Sequence, residues 1–402
     1  MRQTLRPEKI ERVVVRGANW VGDAVMTVAA LRELRRVLPR AHITLATRAW
    51  AVGVFEGADF LDELMVVGET RGLRAVLREA REWRARRFDL GLLFPNAFAP
   101  ALTAFLARVP SRVGYAAQHR GALLTHPLAV PGWRGRRHEV FYYLNIVAEL
   151  ERMLRGSTTI ETNEATVETN EATVGTDAAI VETSAPSFEK DTSSFASVAS
   201  QTTNGPQVAL SVGERRRLDA RALLSAEGFR SERALVALCP GSTNSRAKRW
   251  PVERFAALAD MLIEEAGAQV ALIGASEETE VSEEVARRMR ARPIFLTGKT
   301  DLSMTAAVLS AADLLVTNDT GPAHVAAAVG CPVVVVFGPT NPVTTRPFSA
   351  LATVVRRPPE CAPCMLRDCP IDHRCMTAIS ADEVFAHARR ALEARRGLEV
   401  AR

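Results

Sequence analysis

Short runs of apolar residues alternate along this chain with stretches in which apolar residues recur every three or four positions. The first pattern is typical of buried strands and the second of amphipathic helices. In the first part of the chain, strands are predicted near 12–16, 42–46, 63–67 and 89–94, and helices near 24–38, 71–87 and 98–107. In the second part, strands are predicted near 235–238, 269–273, 293–296, 313–316 and 333–337, and helices near 251–265, 278–290, 302–311 and 322–329. This alternation predicts α/β domains with parallel sheets and helices on both faces.

The pattern stops between residues 156 and 207, where Thr, Glu, Ser, Ala and Asn dominate and ETNEATV occurs twice in tandem. Such a composition buries too little apolar surface to offset the entropy of ordering, so we predict a disordered acidic linker. The linker carries a net charge of −7 against +5 for the whole chain, which leaves +12 for the rest. The predicted organisation is a domain over 1–155, the linker 156–207, a domain over 208–379 and a last helical segment 380–402.

Length and composition exclude several classes of protein. A chain of 402 residues with 47% hydrophobic residues is expected to form two domains with large cores. No apolar run reaches the roughly 18 residues of a membrane-spanning helix, and the first ten residues lack the apolar stretch of a secretory signal. We therefore expect a cytoplasmic protein. Its positive charge comes without a recognised nucleic-acid-binding motif, so nucleic acid is not an expected partner.

A polar loop at 318–322 joins a predicted strand to a predicted helix. Pro322 suits the first helical turn, and the free N–H groups and helix dipole there form an anion site. A phosphate-bearing ligand is the natural occupant, although the loop could equally be a simple helix cap. The candidate ligand-binding residues are Asp319, Thr320, Gly321 and His324.

A second loop, CPGSTNSRAKRWP, follows the predicted strand 235–238. It is longer than the usual connection of about two to six residues between a strand and its helix. Its small residues allow close approach to an anion, its hydroxyl groups can donate hydrogen bonds, and Lys248 supplies a positive charge. The GxxxxGK[ST] spacing of a P-loop is absent. The alternative for Lys248 is an ordinary solvated surface lysine.

A third loop, GANWVGDAVM, follows the predicted strand 12–16 and places Asp23 at a helix start. Asp23 is either an N-cap or a general base that projects into a cleft. The GxGxxG fingerprint is missing, so a dinucleotide cofactor is not expected. Ligands of parallel sheets bind beyond the carboxyl ends of the strands, which is where all three loops fall.

Four cysteines near the end of the chain form a CxxC-x4-C-x5-C pattern that also contains His373. Four thiols this close together could hold zinc tetrahedrally, and an iron–sulfur cluster is also conceivable. A surface disulfide and free thiols are further alternatives. The candidate ligands are Cys361, Cys364, Cys369 and Cys375.

Together, the three loops resemble those of the bacterial ADP-heptose:lipopolysaccharide heptosyltransferases, which are GT-B glycosyltransferases of family 9. The resembling blocks are GANWVGDAVMTVAALRELRR, LLFPNAFAPALTAFLARVPSRVGY, CPGSTNSRAKRWPVERFAALA and VTNDTGPAHVAAAVGCPVVVVFGPTNP. PNAFAPAL and SRVGY favour the type II members over type I, and the cysteine segment fits many members. The resemblance covers nearly all of the chain except 156–207.

The resemblance implies a GT-B architecture, in which two Rossmann-like parallel-sheet domains face a central cleft and the last helix packs back on the first domain. It implies inverting transfer of L-glycero-D-manno-heptose from ADP-heptose to the heptosyl-Kdo-lipid A inner core. Asp23 would be the general base and Lys248 would contact the diphosphate. The implied donor-binding residues are Ser242, Thr243, Asn244, Lys248, Glu278, Leu302, Asp319, Thr320, Gly321 and His324. The implied acceptor-binding residues are Asn19, Asn96, Arg112, Arg120 and Arg137.

No Asp-x-Asp pair for a divalent metal occurs in the sequence, so cationic side chains and helix N-termini are expected to balance the diphosphate charge. We expect no required cofactor, and structural zinc at the four cysteines is the one metal considered. The arginine-rich stretch 71–87 is either a solvated helix face or a surface attracted to anionic lipid and acceptor phosphates. The second interpretation implies peripheral contact with the cytoplasmic face of the inner membrane.

Two other functions are compatible with these residues. The chain could be a GT-B transferase that uses a different nucleotide sugar. It could also be a non-enzymatic metal or redox adaptor built on a transferase fold, with the four cysteines as its working part.

Overall fold

The computed structural model describes residues 5–68, 72–156 and 205–400. These residues form two compact units, and the second begins at Ala209, just after the predicted linker. The predicted acidic linker lies almost entirely outside the described residues. No helix in the described ranges is long and apolar enough to cross a membrane.

In the described part of the N-terminal unit, parallel strands form one sheet in the order β3-β2-β1-β4-β5-β6. The strands are β1 (Arg12–Arg16), β2 (His42–Thr47), β3 (Glu63–Val66), β4 (Leu90–Leu93), β5 (Ser111–Tyr115) and β6 (His126–Leu128). The helices are α1 (Val21–Met26), α2 (Val28–Val37), α3 (Ala49–Phe55), α4 (Leu73–Arg86), α5 (Phe98–Leu106) and α6 (Glu139–Gly156). The valines of β1 are fully buried, as expected for a central strand covered on both faces.

The described C-terminal unit has a second parallel sheet in the order β12-β11-β10-β7-β8-β9. The strands are β7 (Leu235–Cys239), β8 (Gln269–Leu272), β9 (Ile294–Phe295), β10 (Leu314–Asn318), β11 (Val333–Phe337) and β12 (Ala352–Arg356). The helices are α7 (Glu214–Ala226), α8 (Val252–Glu264), α9 (Thr279–Arg288), α10 (Leu302–Ala311), α11 (Gly321–Ala328), α12 (Pro342–Thr345), α13 (Arg374–Thr377) and α14 (Ala381–Val400). The two sheets confirm the predicted α/β class.

The last helix, α14, packs on α8, β10 and β11 within the C-terminal unit. Val384, Phe385, Ala388 and Leu392 are buried there in the core of the unit. Burial of a large apolar side chain contributes about 1.5–3 kcal/mol, so these contacts anchor the helix firmly. The expected return of this helix onto the first domain stays a prediction.

Both sheets have a topological switch point next to their first strand. β1 lies between β2 and β4, and β7 lies between β8 and β10. In each sheet, the strands that follow the first one are therefore added first on one side of it and then on the other. Parallel sheets bind ligands in the crevice outside the carboxyl ends of such strands. The polar loops after β1, β7 and β10 occupy these positions, so a ligand site is expected there.

Candidate functional site

Lys248 is held at the carboxyl end of β10 by Asp319. Its Nζ donates to Asp319 Oδ2 at 2.8 Å and to the Asp319 carbonyl at 3.1 Å. Thr340, from the loop after β11, donates its hydroxyl to the same Oδ2 at 2.6 Å. The Asp319 side chain is buried, whereas that of Lys248 remains 26% exposed. The ammonium group is therefore fixed in direction and still accessible to an anionic ligand.

Asn318 ties the ends of the donor loop, residues 240–250, to β10. This fully buried side chain accepts a hydrogen bond from the Trp250 N–H at 3.0 Å. Its amide also donates to the carbonyls of Pro240 at 2.8 Å and Gly241 at 3.1 Å. Sequence reasoning missed Asn318. A polar residue at the end of the apolar run LLVT was the signal that could have identified it.

Glu278 organises the inner side of the donor loop. The buried carboxylate accepts hydrogen bonds from the Thr243 hydroxyl at 3.1 Å and the Ala275 N–H at 3.0 Å. A Cβ atom at Gly241 would lie 2.3 Å from Glu278 Cδ, so a larger residue there would displace this hydrogen-bonded carboxylate. Thr243 and Asn244 are exposed on the loop, and Ser242 is buried. The predicted contact between Glu278 and a ribose stays a prediction.

Helix α11 presents an N-terminus without a side-chain cap. Thr320 occupies the N-cap position with extended backbone, but its side chain makes no capping hydrogen bond. The carboxylate of Asp319 is instead bonded to Lys248 and Thr340. Thr320 is therefore the N-cap residue that the alternative allowed, but without a side-chain capping hydrogen bond. The first N–H groups of α11, which begins at Gly321, are suited to an anion.

His324, in the first turns of α11, is a neutral group at physiological pH. It is buried, and desolvation lowers its pKa to about 4, with an opposing effect of Asp319 and a further lowering by Lys248. It therefore adds hydrogen-bonding capacity and no charge to the site. Leu302 is half-buried at the first position of α10, which is capped by the Asp301 side chain.

Asp23 lies in the first turn of α1 in the N-terminal unit. The N-cap of α1 is Trp20, so the alternative of Asp23 as an N-cap is wrong. The half-buried carboxylate accepts a hydrogen bond from the Tyr143 hydroxyl at 3.3 Å. Burial, and to a smaller extent the Asp23 charge, raise the pKa of Glu139 at the start of α6. A supported and reachable carboxylate is what a general base requires.

Arg16, which sequence reasoning missed, supports the loop before Asp23. Its guanidinium is 1% exposed and donates to the Gly17 carbonyl at 2.7 Å and to Asn19 Oδ1 at 3.3 Å. Glu79 Oε1 lies 3.6 Å from its Nε. Burial lowers the pKa of Arg16 to about 10, so the group stays charged at neutral pH. The arginine that ends the apolar run VVV was the available signal.

The predicted acceptor-binding residues divide into two groups. Arg120 is fully buried, and its guanidinium donates to backbone carbonyls, among them that of Tyr115 at 2.8 Å. Its predicted direct contact with the acceptor is therefore corrected to a structural role, because carbonyl oxygens already take its donors. The other residues are half-buried. Asn96 donates to the Tyr142 hydroxyl, Arg112 to the Leu123 carbonyl, and Arg137 stacks over Trp133.

The four clustered cysteines are all free thiols. Cys361 is exposed, Cys364 and Cys369 are half-buried, and Cys375 is buried. Burial and the three neighbouring thiols raise the pKa of Cys375 to about 11. In the described ranges, no group of three or more His, Cys, Asp or Glu side chains is arranged to hold a metal ion. Zinc at this segment stays a prediction.

The chain has two Rossmann-like sheets. Asp23 lies near the switch point of the first, and the loop that carries Lys248 lies at the switch point of the second. This combination is that of a GT-B glycosyltransferase. The model of glycosyltransferase family 9 (heptosyltransferase) matches residues 76–374. The chain belongs to this family and is a glycosyltransferase. The predicted family and GT-B fold class are confirmed.

Several similar proteins are named as heptosyltransferases. The chain is 29% identical over 362 residues to lipopolysaccharide heptosyltransferase 2 of Salmonella typhimurium, covering 86% of this chain and 88% of the relative. It is 28% identical over 358 residues to the protein of that name from Escherichia coli, with the same coverage. These names agree with the type II resemblance.

Solved structures show the same fold. The E. coli ADP-heptose lipopolysaccharide heptosyltransferase II superimposes with a TM-score of 0.72 at 24% identity, covering 96% of this chain and 99% of that one. A family 9 glycosyltransferase from Veillonella parvula gives a TM-score of 0.76 at 24% identity, covering 98% and 99%.

Proposed function

We propose that this chain transfers L-glycero-D-manno-heptose from ADP-heptose to the heptosyl-Kdo-lipid A inner core of lipopolysaccharide, with inversion at the anomeric carbon. The observation that carries the proposal is Lys248, held by Asp319 beside the uncapped N-terminus of α11. This arrangement offers a charge and N–H donors to a diphosphate. The relatives named lipopolysaccharide heptosyltransferase 2 support the choice of donor and acceptor.

The proposed reaction uses the described side chains in defined roles. Asp23 accepts the proton of the acceptor hydroxyl as that oxygen bonds to the anomeric carbon. The bond between this carbon and the diphosphate oxygen breaks on the opposite face, and ADP leaves. Lys248 and the N–H groups of α11 stabilise the charge that develops on the diphosphate. A general base of this kind contributes typically about 10²- to 10⁴-fold to the rate.

On the donor side, the remaining predicted residues are assigned by their positions around the donor loop. We assign the phosphate groups of the donor to Ser242, Thr243 and Asn244. The start of α11 adds Thr320, Gly321 and His324. We assign Glu278 to the ribose and Leu302 to the adenine face. On the acceptor side, we retain Asn19, Asn96, Arg112 and Arg137 as groups that meet the core sugars.

Release of ADP tests the proposal. Purified protein is incubated with ADP-heptose and heptosylated Kdo-lipid A, and ADP is measured with and without acceptor. We expect acceptor-dependent ADP release and a product heavier by one heptose. Turnover with another nucleotide sugar and none with ADP-heptose would instead support the alternative GT-B transferase. Failure with every nucleotide sugar would support the adaptor.

We further propose peripheral contact with the inner membrane through α4. Arg74, Arg78, Arg81 and Arg84 are exposed on this helix, whereas Val76 and Trp83 are buried beneath it. Each arginine near an anionic membrane surface is worth about 1 kcal/mol. Sedimentation with vesicles that contain phosphatidylglycerol should show binding that weakens with salt and with charge removal on α4. Equal binding to neutral vesicles would contradict this contact.

A further inference from the structure

The cysteine segment, residues 361–375, lies outside the proposed chemistry but bonds directly to the donor loop. Three of these contacts are hydrogen bonds to the backbone of Ala247 or to the side chain of Ser245. The Ala247 N–H and the Ser245 hydroxyl both donate to the Arg367 carbonyl, at 2.9 Å and 3.2 Å. His373 Nε2 lies 2.6 Å from the Ala247 carbonyl. In addition, an ion pair of 2.7 Å joins Arg246 to Asp368.

These contacts converge on the residue that precedes Lys248. Ala247 is buried in the short 3-10 turn Arg246–Lys248, and the cysteine segment satisfies both its N–H and its carbonyl. A backbone group that is buried needs such partners, because leaving one unpaired is costly. Asn318 holds the ends of the donor loop from the β10 side. The cysteine segment holds its middle from the other side.

The contact made by His373 is chemically specific. A carbonyl oxygen can only accept, so Nε2 of His373 must carry the proton. His373 also has a left-handed backbone conformation, with φ of 58°, which residues other than glycine rarely adopt. Such a conformation persists when the surrounding contacts determine it. The contact of His373 with the Ala247 carbonyl is one of those that hold this conformation.

We propose that the cysteine segment is a positioning element for the donor loop, in which His373 fixes the Ala247 carbonyl and thereby the direction in which Lys248 meets the donor diphosphate. This rests on the proposed function, because it presumes that Lys248 binds a nucleotide diphosphate. His373 is a positioning residue, since it acts through Ala247 and Lys248 and does not touch the donor.

The test compares His373→Ala with His373→Gln, whose side-chain amide can donate to the same carbonyl. We expect His373→Ala to raise the donor KM and the Kd for ADP about tenfold, because a buried acceptor loses its partner. The acceptor KM and kcat should change less than threefold. His373→Gln should restore most of the ADP affinity. Asp372→Asn is the matched control, since Asp372 is exposed and pairs with Arg374 on the solvent side.

ADP affinity within twofold of wild type in His373→Ala would overturn the proposal. Equal increases in the donor KM and the acceptor KM, without rescue by His373→Gln, would also overturn the proposal, because they indicate a general structural defect. If His373→Ala does not fold, Ser245→Ala tests the hold of the cysteine segment on the loop, because it removes a buried hydroxyl that donates to the Arg367 carbonyl. Unchanged ADP affinity in that variant would also overturn the proposal. Failure of the proposed function is distinguishable, because the wild type would then bind ADP without turning over ADP-heptose.

Discussion

The two sheets have the same strand order, yet their switch points are built differently. In the C-terminal unit, Asn318, Glu278 and Asp319 bond to the backbone and side chains of the loops around them, so the donor loop is held by buried polar groups. In the N-terminal unit, the half-buried Asp23 accepts a hydrogen bond from Tyr143. In the proposed function, the same fold therefore supplies a shaped loop that binds a ligand in one unit and a single supported carboxylate that accepts a proton in the other.

The largest expected effect comes from removing the Asp23 carboxylate, which Tyr143 supports. Asp23→Ala should lower kcat about 10²- to 10⁴-fold, because the acceptor hydroxyl loses its base. The Kd for ADP should stay within twofold, since Asp23 lies in α1 of the N-terminal unit and Lys248 lies in the C-terminal unit. Steady-state kinetics and calorimetric ADP titration check both expectations. Asp59→Ala, on the surface beside Arg32, is the control. Near-normal turnover in Asp23→Ala would exclude it as the base.

The shape of the donor loop is tested by Gly241→Ala. The added Cβ would lie 2.3 Å from Glu278 Cδ, which is itself held by two hydrogen bonds. Overpacking of this kind costs about 1–3 kcal/mol, so we expect a lower denaturation midpoint and ADP affinity reduced at least tenfold. Gly132→Ala, where nothing lies within 4 Å, should be neutral. Identical results for the two variants would mean that the close packing has no role.

The burial of His324 predicts a pH dependence of stability. The unfolded chain takes up this proton near pH 6.5, whereas the folded protein does so only near pH 4. Stability is therefore lost as the pH falls from about 6.5 to about 4, by up to about 3 kcal/mol. Urea unfolding at several pH values should show a shallower loss in His324→Gln than in the wild type. The exposed His119 supplies the control, His119→Gln, and an unchanged slope in His324→Gln would contradict the prediction.

The smallest effect is expected for Tyr143→Phe. Loss of its 3.3 Å hydrogen bond to Asp23 should lower kcat about two- to tenfold with the donor KM unchanged, because a hydrogen bond of ordinary strength contributes about 0.5–1.5 kcal/mol. Tyr115→Phe removes a buried hydroxyl that donates to the Tyr142 carbonyl and should leave kcat unchanged. If both variants lose the same activity, support of the base by Tyr143 is not the cause.

Sequence periodicity predicted the central strands because they are continuous apolar runs, as in β1, β7 and β10. It missed β5 and β6, where Arg112, Gly114 and Pro127 interrupt the apolar pattern. It also missed the amphipathic helix α6, whose first turns carry Tyr143.

From the residues themselves, site residues could be predicted only where a charged side chain stands in a polar loop after a strand. Lys248 and Asp319 stand in polar loops after strands, so the position and the charge pointed to them. Asn318 bonds to Trp250, 68 residues away, and Arg16 also pairs with Glu79 on α4, and no spacing in the sequence indicates such pairs. Arg120 was assigned to the acceptor by the family resemblance, but its burial depends on the packing of β5 and the loops around it.

Lys248 in the C-terminal unit is proposed to bind the donor diphosphate, and calorimetric titration of ADP into wild type and Lys248→Ala tests this role most directly. Because a charged contact is lost while the buried Asp319 loses its partner, we predict a Kd for ADP raised at least tenfold. The Lys248→Ala protein should otherwise remain folded by circular dichroism. Unchanged ADP affinity in the folded variant would contradict the account.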